Sequence, residues 1–475
     1  MPAGALAGAA LRDGLAPLSP AFVPRSAAGQ VAAQRAAPLR LLLLFEKEWD
    51  SGGFAPLERA GELKVFSEGF DLFRFPSNAR LMTFNVERWV DKLVHRYRGR
   101  VDAVISSDEQ FGCLLAAVVA QRLGLPGNDP AAIARAQHKL LLRQVVARAV
   151  PEATVAAAAL PFSLSDRRVR DPRLLAHALA EIGFGERALF VKPIKATFSV
   201  LARRVAHAGE LSRHLHFSAF ERLVIDRLVA PYARLASRHA ELPCHPTRMM
   251  VEEALDGHQV NVDGYAFEGE PHIIGIIDEW MYPREAEGAR HFLRFAYPSH
   301  LDPAMHARIE DVVKRVMQAI GFRNGFFNCE LFVMADGSLR VIEVNPRLAV
   351  QFVAAYRDVD GLDIFRMLVA LARGQDPALV PRLDPRGGAA ASFVFRRFDG
   401  NGARPPTAGA EPWLAEHYPH AELTQYHKRG VGLAREYKWL GSHRYALLNL
   451  SSRDETSLHA DFERICKRLG WPCEI

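Results

Sequence analysis

An Asp-Gly pair between two apolar segments constrains the fold more than any other feature of the sequence. Asp336 and Gly337 separate the segments FNCELFV and LRVIEVN. A two-residue hairpin turn of type I′ needs positive φ at both of its positions, and Asp-Gly is one of the few pairs that adopt it. The sequence therefore predicts two antiparallel strands joined by this two-residue turn.

The register of the hairpin follows by counting outwards from the turn. In this register Phe332 lies opposite Val341, and Glu330 lies opposite Glu343. Because side chains alternate between the two faces of a strand, Glu330, Glu343 and Asn345 share one face. Opposed carboxylates repel each other, so they need a cation between them. Two carboxylates and an amide oxygen suit Mg²⁺, with Mn²⁺ as a substitute. The alternative is a solvated sheet face on which each acid pairs with an arginine.

Strand and helix patterns alternate through the first part of the chain. The segments LRLLLLF and VDAVISS read as buried strands, and VERWVDKLVHRY and FGCLLAAVVAQRL read as helices. This alternation predicts a parallel sheet with helices on its faces. Asp129 followed by Pro130 indicates an N-cap with proline at the first helical position, which opens a helical region to Ala149. Further helices are predicted over 303–320, 362–373 and 455–469.

Composition excludes several classes of protein. At roughly 150 residues per domain, 475 residues correspond to about three domains, and 49% hydrophobic with 24% charged residues is a globular mixture. The net charge of +6 comes from scattered basic residues, so nucleic-acid binding is not expected. The longest apolar run is far too short to span a membrane. Five cysteines without a CxxC pair argue against a disulfide framework and indicate a cytoplasmic protein.

At the hairpin the chain resembles the ATP-grasp superfamily, whose last strands carry E...E-x-N followed by an arginine. That arginine is Arg347 here. The other expected elements occur upstream in the same order: a lysine that begins a helix, Lys139, a lysine in a V-K-P context, Lys192, and a hinge strand VEEALDG over 251–257. The layout is most similar to the branch of biotin carboxylases and L-amino-acid ligases.

The resemblance implies an α/β and α+β multidomain chain with an ATP-grasp fold. It implies an N-terminal Rossmann-like pre-ATP-grasp domain and a C-terminal α+β extension. We expect a disordered tail at 1–38, with an organelle transit peptide, an extra helix or a misassigned start codon as alternatives. The expected domains are the pre-ATP-grasp domain at 39–128, the small ATP-grasp subdomain with its linker helices at 129–258, the large subdomain with the metal hairpin at 259–386, and the extension at 387–475.

The resemblance also implies roles for individual residues. Arg347 is the expected catalytic residue, and Glu330, Glu343 and Asn345 are the expected metal ligands. The expected ATP-binding residues are Lys139, Lys192, Lys195, Glu252, Glu253, Leu255 and Gln259. Each lysine taken singly also fits a surface position.

The loop after Lys192 lacks the glycines of many relatives. Lys195, Thr197 and Ser199 either replace backbone donors there or belong to a simple strand turn.

The resemblance implies transfer of the γ-phosphate to a carboxylate and attack by an amine on the acyl phosphate. Carboxylases have a glutamine and a general-base glutamate where this chain has Ala349 and Gln351, and an amide is no general base. We therefore expect a carboxylate-amine ligase with ATP and Mg²⁺, small-molecule substrates and a possible homodimer. A biotin carboxylase-like or other acyl-activating enzyme and an inactive ATP-binding regulator are the alternatives. Trp280 and Tyr282, with the basic stretch from Arg290, either line the acceptor site or pack in the core.

Overall fold

Three separate sheets organise the chain in the computed structural model, which describes residues 37–72, 76–164, 166–185, 187–197, 200–283 and 291–474. All three belong to the unit Pro38–Ile475. Residues 1–36 of the predicted tail, Phe198 and Ser199 in the loop after Lys192, and Arg290 lie outside the described residues. Within the described ranges, no helix is both long enough and apolar enough to cross a membrane.

The first part of the chain forms the predicted parallel sheet. Its elements are β1 (Leu39–Leu44), α1 (Glu48–Arg59), β2 (Leu63–Glu68), α2 (Val86–Tyr97), β3 (Ala103–Ile105) and α3 (Gly112–Leu123). The strand order is β2-β1-β3, and the side chains of the central strand over 41–44 are at most 1% exposed. A strand buried on both faces reads as a continuous apolar run, as this one does. Helix α2 begins where the Asn85 side chain accepts from two backbone N–H groups.

The helical region predicted up to Ala149 is two helices. The break falls at His138, whose backbone leaves the helical region and whose ring accepts from the N–H of Leu141. A four-stranded antiparallel sheet of order β4-β7-β5-β6 follows. The elements of this part are α4 (Pro130–Gln137), α5 (Lys139–Ala149), β4 (Ala157–Ala159), α6 (Pro172–Glu181), β5 (Leu189–Pro193), β6 (Arg203–Val205), α7 (Ala208–His214), α8 (Ala219–His239) and β7 (Met249–Glu253).

The remaining strands form one eight-stranded antiparallel sheet. The elements are β8 (Gly257–Phe267), β9 (Glu270–Met281), β10 (Phe292–Tyr297), α9 (Pro303–Ile320), β11 (Gly325–Met334), β12 (Leu339–Asn345), α10 (Val353–Asp360), α11 (Ile364–Ala372), β13 (Ala389–Arg397), α12 (Ala410–His417), β14 (Glu422–Gln425), α13 (Gly430–Leu440), β15 (His443–Ser452) and α14 (Glu455–Leu469). The order is β12-β11-β8-β9-β10-β13-β15-β14. The last three strands therefore continue the sheet that carries the hairpin.

The turn of the β11–β12 hairpin differs from the predicted one. The N–H of Met334 donates to the carbonyl of Ser338, and the N–H of Gly337 donates to the carbonyl of Met334, both at 2.9 Å. The loop therefore has three residues, and only Gly337, with φ of 77°, takes a positive φ. The predicted type I′ turn is wrong because a three-residue loop needs positive φ at one position only, where glycine is free of strain.

The register of the hairpin differs from the predicted one near the turn and agrees with it at the two carboxylates. Phe332 pairs with Arg340, so the predicted partner Val341 is wrong by one residue. Leu331 pairs with Val341 but Glu330 pairs with Glu343, so the register shifts by one residue between these two pairs. A bulge of this kind places two residues opposite one and cancels the offset from the turn. The predicted opposition of Glu330 and Glu343 is therefore confirmed.

One face of the large sheet is buried although its side chains are polar. On β8, Val260 and Val262 are 0% exposed and belong to the same core cluster as apolar side chains of α9. The alternate residues Gln259, Asn261 and Asp263 are only 4–7% exposed and lie on the opposite face. Buried polar side chains are uncommon unless they are bonded to one another or to a ligand. This face is therefore where a functional site is expected.

Candidate active site

Glu330 and Glu343 form the centre of the polar face. Asn345 lies beside them, and its Nδ2 is 3.3 Å from Glu330 Oε1. Burial and the charge of Glu343 raise the pKa of Glu330 to about 7. Burial acts on Glu343 in the same direction, but the charges of Lys139, Lys192 and Lys195 and the hydrogen bond from Lys139 together outweigh it and lower the pKa of Glu343. The pair therefore carries negative charge that a further cation would stabilise.

The donor atoms at this centre fit Mg²⁺. Glu330, Glu343 and Asn345 offer carboxylate and amide oxygens, which are the hard ligands that Mg²⁺ takes. The raised pKa of Glu330 is the observation that supports this fit, because the carboxyl lacks an adequate positive partner. A bound Mg²⁺ would supply charge neutralisation for phosphate oxygens beside these residues.

Lys139, the first residue of α5, reaches this centre. Its Nζ lies 2.8 Å from Glu343 Oε1 and donates to the carbonyl of Ala196 at 2.9 Å. Burial lowers the pKa of Lys139, but the hydrogen bond to Glu343 and the charges of Glu343, Glu109 and Glu330 together outweigh burial, so the pKa is raised overall. The end of α4 at His138 starts a new helix here, which aims the Lys139 side chain at the hairpin. The lysine is therefore buried beside Glu343 and does not lie at the surface.

Lys192, Glu252 and Arg143 form a buried charged cluster. Lys192 Nζ lies 2.8 Å from Glu252 Oε2, and Arg143 Nε lies 2.7 Å from Glu252 Oε1. The side chains of all three residues are 4% exposed. Among the residues that the structure describes, no acceptor has hydrogen-bond geometry with the Lys192 ammonium. Burial lowers the pKa of Lys192. An ammonium that is ion-paired but has unused N–H donors is well suited to an anionic ligand.

Lys195 and Thr197 attach the loop after β5 to the N-terminal sheet. Lys195 Nζ donates to the backbone carbonyl of Glu109 at 2.7 Å, and Thr197 Oγ1 lies 3.5 Å from Gln110 Oε1. Burial lowers the pKa of Lys195 to about 8. The loop is thus held by side chains, in a chain segment without glycine.

The hinge residues lie where the four-stranded sheet leads into the eight-stranded one. The N–H of Glu253 donates to the carbonyl of Ala156 at 3.2 Å, and Leu255 follows just beyond the end of β7. Gln259 Nε2 lies 3.3 Å from Glu330 Oε2. The structure therefore brings Gln259 to the metal-ligand candidates, while Glu253 and Leu255 line the connection beside the Glu252 cluster.

Arg347 lies at the end of β12, directly beyond Asn345. Its Nη2 and Nε donate to the same carboxylate oxygen of Glu109, at 2.7 and 3.1 Å. The Asn345 amide lies between Glu330 and Glu109, since in its other orientation its nitrogen is 2.9 Å from Glu109 Oε1. Glu109 therefore joins the predicted catalytic arginine to the metal-ligand candidates.

Two site residues were missed by the sequence reasoning, although each has a signal. Glu109 lies in the polar segment Asp108-Glu109-Gln110 just after strand β3, and ligands commonly bind at the carboxyl ends of parallel strands. Arg143 follows Lys139 by four residues on α5, so the two share a helix face. Neither pattern predicts which residue is contacted, because Glu252, the partner of Arg143, and Arg347, the partner of Glu109, each lie more than 100 residues away in the sequence.

The β9 residues around the expected acceptor residue Trp280 divide between two faces of the sheet. Glu279 pairs with Gln259, on the face of the site, whereas Asp278 pairs with Val260 on the other face. Trp280 is on the side of Asp278 and contacts the ring of His258. Tyr282 donates its hydroxyl to the carbonyl of Val394. Glu279 therefore lies on the same face of the sheet as Glu330, whereas Asp278 and Trp280 face away from it.

A cavity of about 120 Å³ lies next to Arg347, between the N-terminal sheet and the start of β11. Polar groups at its wall include Ser106, Ser107 and the buried Asp50. Its wall is otherwise largely apolar, with Leu43, Phe54, Ile105, Phe326, Leu348 and Leu371 among the lining residues. A ligand bound by Arg347 can place a small apolar group in this cavity.

The segment that carries the hairpin matches a known domain family. Residues 187–354 match the sequence model of the ATP-grasp domain, so the chain carries this domain, as the hairpin motif predicted. Lys139 lies before the matched residues but reaches into the same site.

Similar proteins support the same fold. Carnosine synthase 1 of Gallus gallus is 30% identical over 325 residues, which is 64% of this chain and 30% of that protein. This chain therefore spans about a third of the length of that curated relative. The L-amino acid ligase from Bacillus licheniformis superposes with a TM-score of 0.64 at 16% identity, covering 91% of this chain and 98% of that one. Biotin carboxylase from Campylobacter jejuni superposes with a TM-score of 0.56 at 14% identity, covering 90% and 91%.

Proposed function

We propose that the protein is an ATP-dependent carboxylate-amine ligase that forms ADP and phosphate. The observation that carries this proposal is the convergence of Lys139, Glu330, Glu343 and Arg347 on one polar face. Lys139 begins a helix, the two glutamates lie on consecutive strands and Arg347 follows the second strand, and 204 positions separate Lys139 from Glu343. Cations for a triphosphate, oxygen ligands for Mg²⁺ and an arginine for the transferring phosphoryl group are the parts that phosphoryl transfer needs.

The proposed reaction has two steps. In the first step a substrate carboxylate oxygen bonds to the γ-phosphorus, the bond from that phosphorus to the β–γ bridging oxygen breaks, and ADP leaves. Arg347 would hold the carboxylate or the transferring phosphoryl group by its fork of N–H donors. In the second step a neutral amine attacks the acyl carbon, the carbon–oxygen bond to phosphate breaks, and the amine proton leaves with hydrogen phosphate.

The buried lysines would hold the nucleotide. Lys139 presents its ammonium group beside Glu343 and Lys192 presents its own beside Glu252, and Lys195 adds a third beside Glu109. Glu253 and Leu255 would bind the adenine edge by their backbone, beside Glu252. Gln259 would bind the ribose. ATP is in this proposal the phosphoryl donor, and Glu330, Glu343 and Asn345 would hold the Mg²⁺ that accompanies it.

The cavity beside Arg347 supports a substrate carboxylate with a small apolar substituent. Arg347 and Leu348 are both part of its wall, so a substituent of a carboxylate bound at the guanidinium would have the cavity within reach. Burying an apolar group of this size contributes about 1.5–3 kcal/mol to binding. The names of the carnosine synthase and L-amino acid ligase relatives support amino acids as the substrate class.

Gln351 supports ligation over carboxylation. It occupies the position of the carboxylase general base, and its Nε2 donates to Ser392 Oγ at 3.0 Å. An amide that is bonded to the neighbouring strand β13 has neither the chemistry nor the freedom of a general base. We also propose that residues 39–128 form the pre-ATP-grasp domain and that residues 387–475 form the C-terminal extension.

The homodimer stays a prediction.

The proposal is tested by ADP release in the presence of Mg²⁺ and ATP across a panel of carboxylates and amines. Amino acids with substituents from methyl to indole form the carboxylate series, and bicarbonate is added or omitted. We expect ADP release that needs both a carboxylate and an amine, and a product at their summed mass less water. Release that depends on bicarbonate alone would favour a carboxylase, and ATP binding without ADP in any combination would favour a regulator.

A further inference from the structure

A second cluster of ligand side chains lies on the other face of the same sheet. His258 and Asp278 are neighbours on β8 and β9, and His300 lies in the segment between β10 and α9. In the β8–β9 register Gln259 pairs with Glu279 on the side of Glu330. Strand alternation therefore directs His258 and Asp278 away from the candidate active site. The cluster is separate from the magnesium ligands.

The three side chains converge on a small volume. His258 Nε2 lies 2.8 Å from Asp278 Oδ1, and His300 Nδ1 lies 2.7 Å from Asp278 Oδ2. One ligand atom of each residue lies within 4.8 Å of the other two. In a tetrahedral zinc site with bonds of about 2.1 Å, ligand atoms are about 3.4 Å apart. The three ligand atoms are therefore close to the spacing that a zinc site needs.

Asp278 is held in place for such a role. It is 1% exposed, and it accepts from Ser299 Oγ at 2.7 Å and from the N–H of His300 at 2.8 Å. Burial would raise the pKa of Asp278, but these hydrogen bonds and those from the two histidines lower it, so the carboxylate stays ionised. Hydrogen-bonded carboxylates of this kind orient metal sites and tune their affinity.

We propose that His258, Asp278 and His300 bind a divalent transition-metal ion of the zinc class. Two imidazole nitrogens and one carboxylate oxygen favour Zn²⁺, Co²⁺ or Ni²⁺ over Mg²⁺, which takes oxygen ligands. The side chain of His300 is 52% exposed and that of His258 is 23% exposed, so the ion reaches the site from solvent and water completes its shell.

The ion would connect three chain segments next to the hinge. His258 is the second residue of β8, shortly after Leu255, and His300 precedes α9 at Pro303. A metal bonded to both segments and to β9 stabilises the folded chain, because the unfolded chain has no preformed site. Zinc therefore raises the melting temperature of the protein without taking part in phosphoryl transfer.

The test is zinc binding to the full chain by equilibrium dialysis and calorimetry. We expect His300→Ala and Asp278→Asn to lose one zinc equivalent. Ser299→Ala removes the hydrogen bond to Asp278, together with a longer one from the N–H of Leu301 at 3.3 Å, and should weaken zinc binding by about 10–100-fold. His272→Ala, on β9 but stacked on Tyr265, is the matched control and should leave zinc binding unchanged.

Trp280 reports which site is filled, because its ring lies 5.4 and 5.5 Å from the rings of His258 and His300. Co²⁺ should quench the Trp280 fluorescence, and Trp280→Phe should remove that quenching. Glu343→Gln should keep both the zinc equivalent and the quenching, since it alters only the other face. Equal zinc stoichiometry in the unmodified chain and His300→Ala, or a zinc equivalent lost only with Glu343→Gln, would overturn the proposal.

Discussion

Arg347 donates two hydrogen bonds to a single carboxylate oxygen of Glu109, at 2.7 and 3.1 Å, although 238 positions separate the two residues. Glu109 follows β3 in the N-terminal sheet, and Arg347 follows β12 in the large sheet. The pair therefore fixes the guanidinium at the junction of the two sheets, beside Asn345. Glu109 is a positioning residue for the arginine of the proposed reaction.

Glu109→Gln is expected to lower kcat by about 100-fold, the effect of displacing a reacting group by roughly 1 Å. The neutral amide loses the charge-assisted bonds, so Arg347 is no longer held in one orientation. The KM for ATP should change little. Steady-state kinetics separates the two effects. Glu87→Gln, which breaks the exposed ion pair to Arg238, is the matched control and should behave like the unmodified chain.

Arg347→Ala is expected to lower kcat much more than it weakens ATP binding, if the guanidinium bonds strengthen in the transition state. Nucleotide affinity is measured by calorimetry alongside turnover. If Glu109 acts through Arg347, the double variant should be no slower than Arg347→Ala alone. Losses that multiply in the double variant would show that the two residues act independently, and an equal loss of ATP affinity would assign Arg347 to nucleotide binding.

Glu343→Gln is expected to abolish Mg²⁺-dependent turnover while the chain stays folded. The amide removes one ligand charge without changing the side-chain volume, and it also removes the ionic partner of Lys139 at 2.8 Å. ADP release against Mg²⁺ concentration and a circular dichroism melt measure the two properties. Glu310→Gln, which affects an exposed pair with Lys314, is the control. Unchanged turnover in Glu343→Gln would contradict the metal assignment.

Asp50→Asn is expected to stabilise the protein above neutral pH. Burial raises the pKa of Asp50 to about 6, and the carboxylate accepts from Ser107 Oγ at 2.6 Å and from the N–H of Lys47 at 2.9 Å. Because the folded-state pKa exceeds the unfolded value, the native state loses stability from this group as the pH rises through about 6.

The asparagine keeps an acceptor for both donors and carries no charge. Its gain in the free energy of unfolding should reach up to about 3 kcal/mol at pH 8 and vanish near pH 4. Urea unfolding at the two pH values measures the difference. A destabilisation of the same size at both values would show that the Asp50 charge is not penalised by burial.

Local patterns predicted many elements with the bounds that the structure has. The helices Val86–Tyr97, Pro303–Ile320 and Glu455–Leu469 each follow an Asn or Asp cap and carry an amphipathic pattern, so neighbouring residues decide where they begin and end. Helix α8 was not predicted, although Ser218 and Glu221 form a capping box at its start, because Pro231 interrupts its pattern.

The sequence by itself determined that β11 and β12 pair as a hairpin, because hairpin pairing is a local property. Glu330 and Glu343 face each other as predicted because the bulge in β12 cancels the error made at the turn. Only the tertiary structure decided that Glu109 holds Arg347 and that Arg143 and Lys192 share Glu252. It also decided that Asp278 lies with His300 on the far face. These contacts join separate sheets and loops, and periodicity carries no information about which distant segments pack together.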